Sequence, residues 1–171
     1  MTAECIQWLR GVVTAVLPGG KVFDDPAALN QTHALPHAVI ELGDELLQRD
    51  GSRVAREVTT GGTRLVHRRR VWSRTVPVTV HLAHKTLAAA DQVVQNLLLA
   101  VAGGVTTGAG DWVRVRCTGV AWDQAKAATP QRVDCQIDLA FEGGIYRDEV
   151  APLVSHVQVE PDESAGTGAG A

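Results

Sequence analysis

"HRRRVWSRTVPVTVHLAH", residues 67–84, decides the fold. Its second half alternates: Val76, Val78, Val80 and Leu82 fall on one side of an extended chain, and Pro77, Thr79 and His81 on the other, as in a strand with one dry face. Pro77 has no N–H for a ladder, so the pattern predicts an edge strand or a bulge at that point. The first half extends the same strand past the core. There Arg68, Arg70, Trp72 and Arg74 share one parity and therefore one predicted face. Such a face can grip phosphates, stand in water, or meet another protein. A tryptophan among arginines is the composition enriched at protein interfaces, which favours the protein contact, with a solvated strand face as its rival.

The pattern changes period on either side of this segment. Thr86 is placed to cap a helix whose Leu87, Ala90, Val94, Leu97, Leu98 and Val101 form one stripe, closed by Gly103-Gly104. Val93 and Leu99 widen that stripe, so this helix is expected to be largely buried. "DWVRVRCTGVAW" sets Val113, Val115 and Cys117 inward and Arg114 and Arg116 outward. "RVDCQIDLAFEGG" sets Val133, Cys135, Ile137, Leu139 and Phe141 inward and Asp134, Gln136, Asp138 and Glu142 outward. The "DQAKAATPQ" between them is short enough for an antiparallel hairpin, and "LVSHVQVE" is a candidate last strand.

Towards the N-terminus, Thr2 is the expected cap of a helix carrying Ile6, Leu9, Val13, Val16 and Leu17, stopped by Pro18-Gly19-Gly20. Residues 21–36 show no sustained period and read as a connection with at most a turn of helix. "HAVIEL" is a strand. Around residues 43–62 the Asp50-Gly51 pair predicts the turn of an exposed hairpin or arm. The sum is an α+β fold: an antiparallel or mixed sheet of about four to five strands against two main helices, with an extended hairpin or arm. Residues 1–160 form the expected single domain, and the small, polar "PDESAGTGAGA" predicts a flexible tail over 161–171.

A chain of 171 residues, 45% hydrophobic and 20% charged, is expected to bury roughly two thirds of its unfolded surface. The net charge of −3 gives no general attraction to nucleic acid or anionic lipid, but the charge is polarised. Residues 64–74 hold five arginines and no acid, whereas residues 134–171 hold eight acids and one arginine. Cys5, Cys117 and Cys135 are an odd, widely spaced set, which fits reduced, buried thiols. Glu4 and the lack of a basic-then-apolar leader argue against a signal peptide. No run of 18 apolar residues predicts a membrane span.

Motifs for chemistry are missing. His33 with His37 is interrupted by Leu35-Pro36, and His81 with His84 falls on opposite strand faces, so neither pair predicts a metal site. No GxSxG frames a serine nucleophile, and the cysteines are expected inside the sheet. "GGVTTGAGD" follows a helix instead of preceding one, the wrong order for a phosphate cradle. The reading requires no catalytic residue, cofactor or metal, and the protein is expected not to be an enzyme.

The order of elements, with "RVWSRTVPVTVHLAHKTLAAADQVVQNLLLAV", then "DWVRVRCTGVAWDQ" and "VDCQIDLAFEGGIYRDE", resembles the tail terminator proteins of long-tailed bacteriophages across residues 3–158. The resemblance implies a virion structural protein, assembled in the host cytoplasm as a hexameric ring at the head-proximal end of the tail tube. There it ends tube polymerisation and offers the surface that joins the head, so the tail tube protein and a neck or head-completion protein are the implied partners, with DNA passing through the lumen. A ring needs unlike patches that meet head to tail. The candidate interface residues are Arg68, Arg70, Trp72, Arg74, Arg114 and Arg116 on the basic side and Asp134, Asp138 and Glu142 on the acidic side. A neck or head-completion subunit is the nearest alternative. A small nucleic-acid-binding module using Arg64 to Arg74 is the alternative from another class.

Overall fold

The computed structural model describes residues 1–31, 33–58, 64–123 and 132–152. In chain order its elements are α1 (Thr2–Val16), β1 (Lys21–Phe23), a 3-10 turn (Pro26–Asn30), β2 (His37–Leu42), β3 (Leu46–Arg49), β4 (Arg53–Val58), β5 (Arg64–His84), α2 (Leu87–Val101), β6 (Val105–Thr106), β7 (Trp112–Asp123) and β8 (Val133–Pro152). The sheet order is β1-β2-β5-β8-β7-β6, and β3 and β4 also pair with β5. Among the described residues only the β1–β2 pair is parallel. The class is α+β with a mixed sheet. Eight strands replace the expected four to five because β1, β3 and β6 hold only two to four residues, too few for a period of two to register.

β5 and β8, of 21 and 20 residues, pair along their whole length, from His84↔Val133 to Arg64↔Pro152. At one end their alternation builds the core. Val76, Val78, Val80 and Leu82 of β5 pack with Ile137, Leu139 and Phe141 of β8 beneath Cys5, Leu9 and Val13 of α1 and Ala90, Val94 and Leu97 of α2. Deleting a side chain such as Phe141 from so dense a site typically costs about 3–5 kcal/mol. The "FEGGIYRDE" stretch does not end the strand. β8 runs through Gly143-Gly144, where the Met1 side chain approaches from one face and the Arg70 side chain from the other.

Several expectations are corrected. β5 is a central strand, not an edge. Pro77 is tolerated because its carbonyl and missing donor face the break between β2 and β3, where Gly43 N–H donates to Pro77 O (2.9 Å). Asp50-Gly51 is not a hairpin turn. β2, β3 and β4 are all antiparallel to β5 and follow one another along its side, so residues 37–58 make one interrupted strand with a kink at Asp50–Ser52. Residues 59–63, between β4 and β5, lie outside the described residues, as do "LVSHVQVE", residues 161–171 and most of the β7–β8 connection.

Thr2 is the first residue of α1, not its cap; its Oγ1 accepts from Arg74 Nη2 at 2.6 Å. Thr86 does cap α2, its Oγ1 accepting from Ala89 N–H. α2 is only half-buried, with Leu99 77% exposed, because no element among the described residues covers its outer side. Cys117 is exposed instead of inward. It keeps the parity of Val115 opposite Leu139 but lies next to a bulge at Thr118, where β7 leaves the shelter of the helices.

The α2–β7 connection depends on one backbone conformation. Gly104 sits at φ +67, and a Cβ there would lie 2.6 Å from the Val113 carbonyl oxygen. Gly104→Ala should therefore lower stability by about 1–3 kcal/mol in urea denaturation. Gly51→Ala, with open space around its Cβ, should stay within about 0.5 kcal/mol of the parent. Equal midpoints for the two variants would refute this account.

Candidate interaction surface on the β-ribbon

Past the row of Arg74 and Gly143, where Met1 and Thr2 mark the start of α1, β5 and β8 leave the helices and continue as a ribbon. First β3 and then β4 supply its third strand. The outer side of β8 beyond Glu142 and the outer side of β3 and β4 pair with no strand among the described residues. An exposed antiparallel ribbon with two unpaired edges is an assembly-prone shape.

A bulge controls which side chains share a face. Arg70 pairs with Tyr146 and Trp72 with Ile145, leaving Val71 as the extra residue in β5. Directly paired residues point to the same face, and Ile145 and Tyr146, as neighbours in β8, point to opposite ones. Arg68 and Arg70 are thus on the face away from the helices, and Trp72 and Arg74 are on the helix side. The single alternating face expected for these four residues does not exist, because the alternation slips by one at Val71.

Asp50 holds this bulge in place. Its carboxylate accepts from Ser52 N–H (2.8 Å) and Gly51 N–H (2.7 Å), and on the other side from Arg70 Nε (2.6 Å) and Ser73 Oγ (3.2 Å). The two backbone donors, with the Ser52 hydroxyl and Arg70, hold the carboxyl well below the usual carboxylate range. The kink in one strand and the bulge in its neighbour meet at this group: Asp50 N–H donates to Val71 O and Arg70 N–H to Ser52 O.

The expected interface arginines of β5 are engaged within the chain. Arg68 pairs with Asp111 (2.7 Å) and Asp148 (3.8 Å) and lies over the Tyr146 ring. Arg70 holds Asp50, and Arg74 bonds Glu45 and Thr2. Trp72 is 38% exposed. On the far face of the body, Arg116 pairs with Glu142 (2.8 Å) and Arg114 sits beside the same carboxylate in register. Asp134 is bonded through both oxygens to Arg132, and Asp138 accepts from Thr79 and Gln136. The structure thus places Arg68, Arg70, Arg114, Arg116, Asp134, Asp138 and Glu142 on one face of the sheet and leaves Trp72 and Arg74 on the other.

The sequence reading missed the arginines that the register brings to Trp72. Three consecutive cross-strand rows share its face: Arg49↔Trp72↔Ile145, Arg53↔Arg69↔Arg147, and Arg56↔His67↔Glu149. Glu149 is the only carboxylate in these rows, and it pairs with Arg69 at 3.0 Å. Burial, then Arg53, Arg56 and Arg69, push the His67 imidazole down. No local sequence signal announced this cluster, since its members come from β3, β4, β5 and β8 and its phase depends on two bulges, at Val71 in β5 and at Val54 in β4.

A cleft of about 440 Å³ lies at the opposite end of the sheet and is lined by His37, His81, Trp122, Arg132 and Asp134. Its polar groups are spent on one another or on nearby chain: Arg132 on Asp134, His81 on Glu41 (2.9 Å), and His37 on the Ala34 carbonyl. Burial pushes the His37 imidazole down. Among the described residues no three His, Cys, Asp or Glu side chains converge as metal ligands would.

No protein-family model matches the chain, and no curated protein matches it. Among solved structures, a chain from the virion of a native gene transfer agent particle is similar over 84% of this chain and 94% of its own, with a TM-score of 0.44 and 13% identity.

The role of Asp50 gives a pH-dependent expectation. Because its folded-state value lies below its ordinary value of 3.8, its contribution is complete above that value and is lost as pH falls toward the lower, folded one. Asp50→Ala should lower the urea midpoint at neutral pH, and the gap to the parent should narrow below about pH 4. A gap that is absent at neutral pH, or as wide in strong acid, would show that Asp50 does not hold the bulge.

Proposed function

We infer that the protein is a virion structural component that assembles with itself as a head-to-tail ring. In the finer form of this reading it is a tail terminator, capping the head-proximal end of a tail tube and presenting the head-joining surface. The observation that carries the reading is the ribbon: two unlike edges that pair with no strand among the described residues, flanked by exposed Leu46, Leu47, Val54 and Val58 on β3 and β4 and by Ile145 and Val150 on β8. Edges of this kind are paired or covered in stable proteins. Because they differ from each other, one meeting the other on the next subunit gives a heterologous contact, the kind from which a ring is built when the rotation between subunits closes. The resemblance of the element order to tail terminators supplies the hexamer, the tail tube protein and the neck protein as partners.

A neck or head-completion subunit would use the same edges, and binding to purified tail tubes separates it from a terminator. A nucleic-acid module built on the Arg64 to Arg74 run has less support, since Arg68, Arg70 and Arg74 already hold carboxylates of the chain.

The parent protein should have a native mass several times its 18.2 kDa, near sixfold for the hexamer, and should bind one end of purified tail tubes. Lysine blocks edge pairing, so Leu46→Lys and Ile145→Lys should each give monomers with unchanged unfolding midpoints. Mixing the two variants should yield dimers and nothing larger, because only one intact edge of each kind remains. A monomeric parent, or variants that still form the full assembly, would overturn the reading.

A further inference from the structure

The face of the ribbon that carries Trp72 has more positive charge than the described residues neutralise. Arg53, Arg69 and Arg147 are direct cross-strand neighbours, with Cα atoms about 4.5–5.5 Å apart from strand to strand. Like charges so placed destabilise a sheet. Arg49 and Arg56 extend the cluster by one row on each side. Among the described residues no carboxylate lies within ion-pair distance of Arg49, Arg53, Arg56 or Arg147. This contrasts with Arg68 and Arg70 on the reverse face, each of which holds an aspartate.

We propose that this face binds the phosphate backbone of nucleic acid without sequence preference, with Arg49, Arg53, Arg56 and Arg147 contacting phosphates and Trp72 contacting a base or sugar. The four arginines lie exposed on β3, β4 and β8, the strands that flank β5, and form a broad field instead of the single fork that one carboxylate needs. Trp72, 38% exposed between Arg49 and Ile145, supplies the aromatic surface that basic sheets use to stack single-stranded bases. An acidic peptide would satisfy the guanidinium groups but gains nothing particular from an indole in the same rows. The proposal does not depend on the ring, because all of these groups are presented by one chain.

The test is fluorescence anisotropy of the intact protein with a labelled duplex and a labelled single strand of the same length, from about 50 to 200 mM salt. Four phosphate contacts predict log–log salt slopes of about −3.6 for the duplex and about −2.8 for the single strand. Arg53→Gln with Arg147→Gln should weaken both by about tenfold or more at low salt and flatten the duplex slope by about 1.8. The same double variant should unfold at an equal or higher urea midpoint, since it relieves like-charge repulsion, which separates lost binding from lost folding. Arg68→Gln, on the reverse face, should keep the parent slope. Trp72→Ala should weaken single-strand binding by about tenfold with its slope unchanged. No binding by the folded parent at low salt overturns the proposal, as does binding that the double variant leaves unaltered. Full nucleic-acid affinity with lost self-association in that variant would assign the face to a second copy of the chain and overturn it as well.

Discussion

The pairing of β5 with β8 is the constraint on which the rest depends. Twenty residue pairs of one antiparallel ladder span the molecule, and the two strands serve different solvents along their length. Between Val76 and Leu82 the ladder is covered by helices, and its side chains alternate dry and wet. Between Arg64 and Trp72 it has no helical cover, so its stability comes from backbone hydrogen bonds, cross-strand pairs and a third strand. The hydrophobic core fixes the register at one end, and the ladder carries that register outward. A one-residue error at the core would turn over every side chain in the ribbon.

The bulge at Val71 is where that transmission is altered on purpose of geometry: it rotates the outer half of β5 by one side-chain position. Without it Arg68 and Arg70 would share a face with Trp72 and Arg74. With it, Arg68 and Arg70 turn to the side where Asp111, Asp148 and Asp50 wait, and Arg69 turns to the side where Arg53 and Arg147 lie. Asp50 joins the bulge to the kink in the neighbouring strand. One carboxylate therefore sorts the ribbon into a neutralised face and a basic one.

The sequence was informative wherever a period was long and one face was dry. The strands 76–82, 112–117 and 133–141 and both helices were legible because burial imposes alternation of two or 3.6 on enough residues to count. The arm was legible as an extended, exposed segment but not in its pairing. Asp50-Gly51 carries the composition of a hairpin turn, yet the same Asx geometry serves a kink within a strand that keeps its direction. Thr2 looked like a cap, but the long-range partner Arg74 claims its hydroxyl. The expected interface set failed as a set for the same reason. Parity counted along β5 is blind to a bulge, and ion pairs to Asp50 and Asp111 bridge 20 and 43 positions of sequence. The arginines most available to a partner come from β3, β4 and β8 and were invisible until these strands were aligned with β5.

Electrostatics also explains why the ribbon is a poor resting state for an isolated chain. Its arginine rows repel across the strands, its edges present unsatisfied backbone donors and acceptors, and its flanking leucines and valines stand in water. Each of these costs is small, and among the described residues only the Glu149–Arg69 pair offsets part of the repulsion. The two edges and the basic face are also spatially distinct, since hydrogen bonds to an edge lie in the plane of the sheet whereas the guanidinium groups project from it. A neighbouring subunit can therefore complete the edges while a polyanion occupies the face.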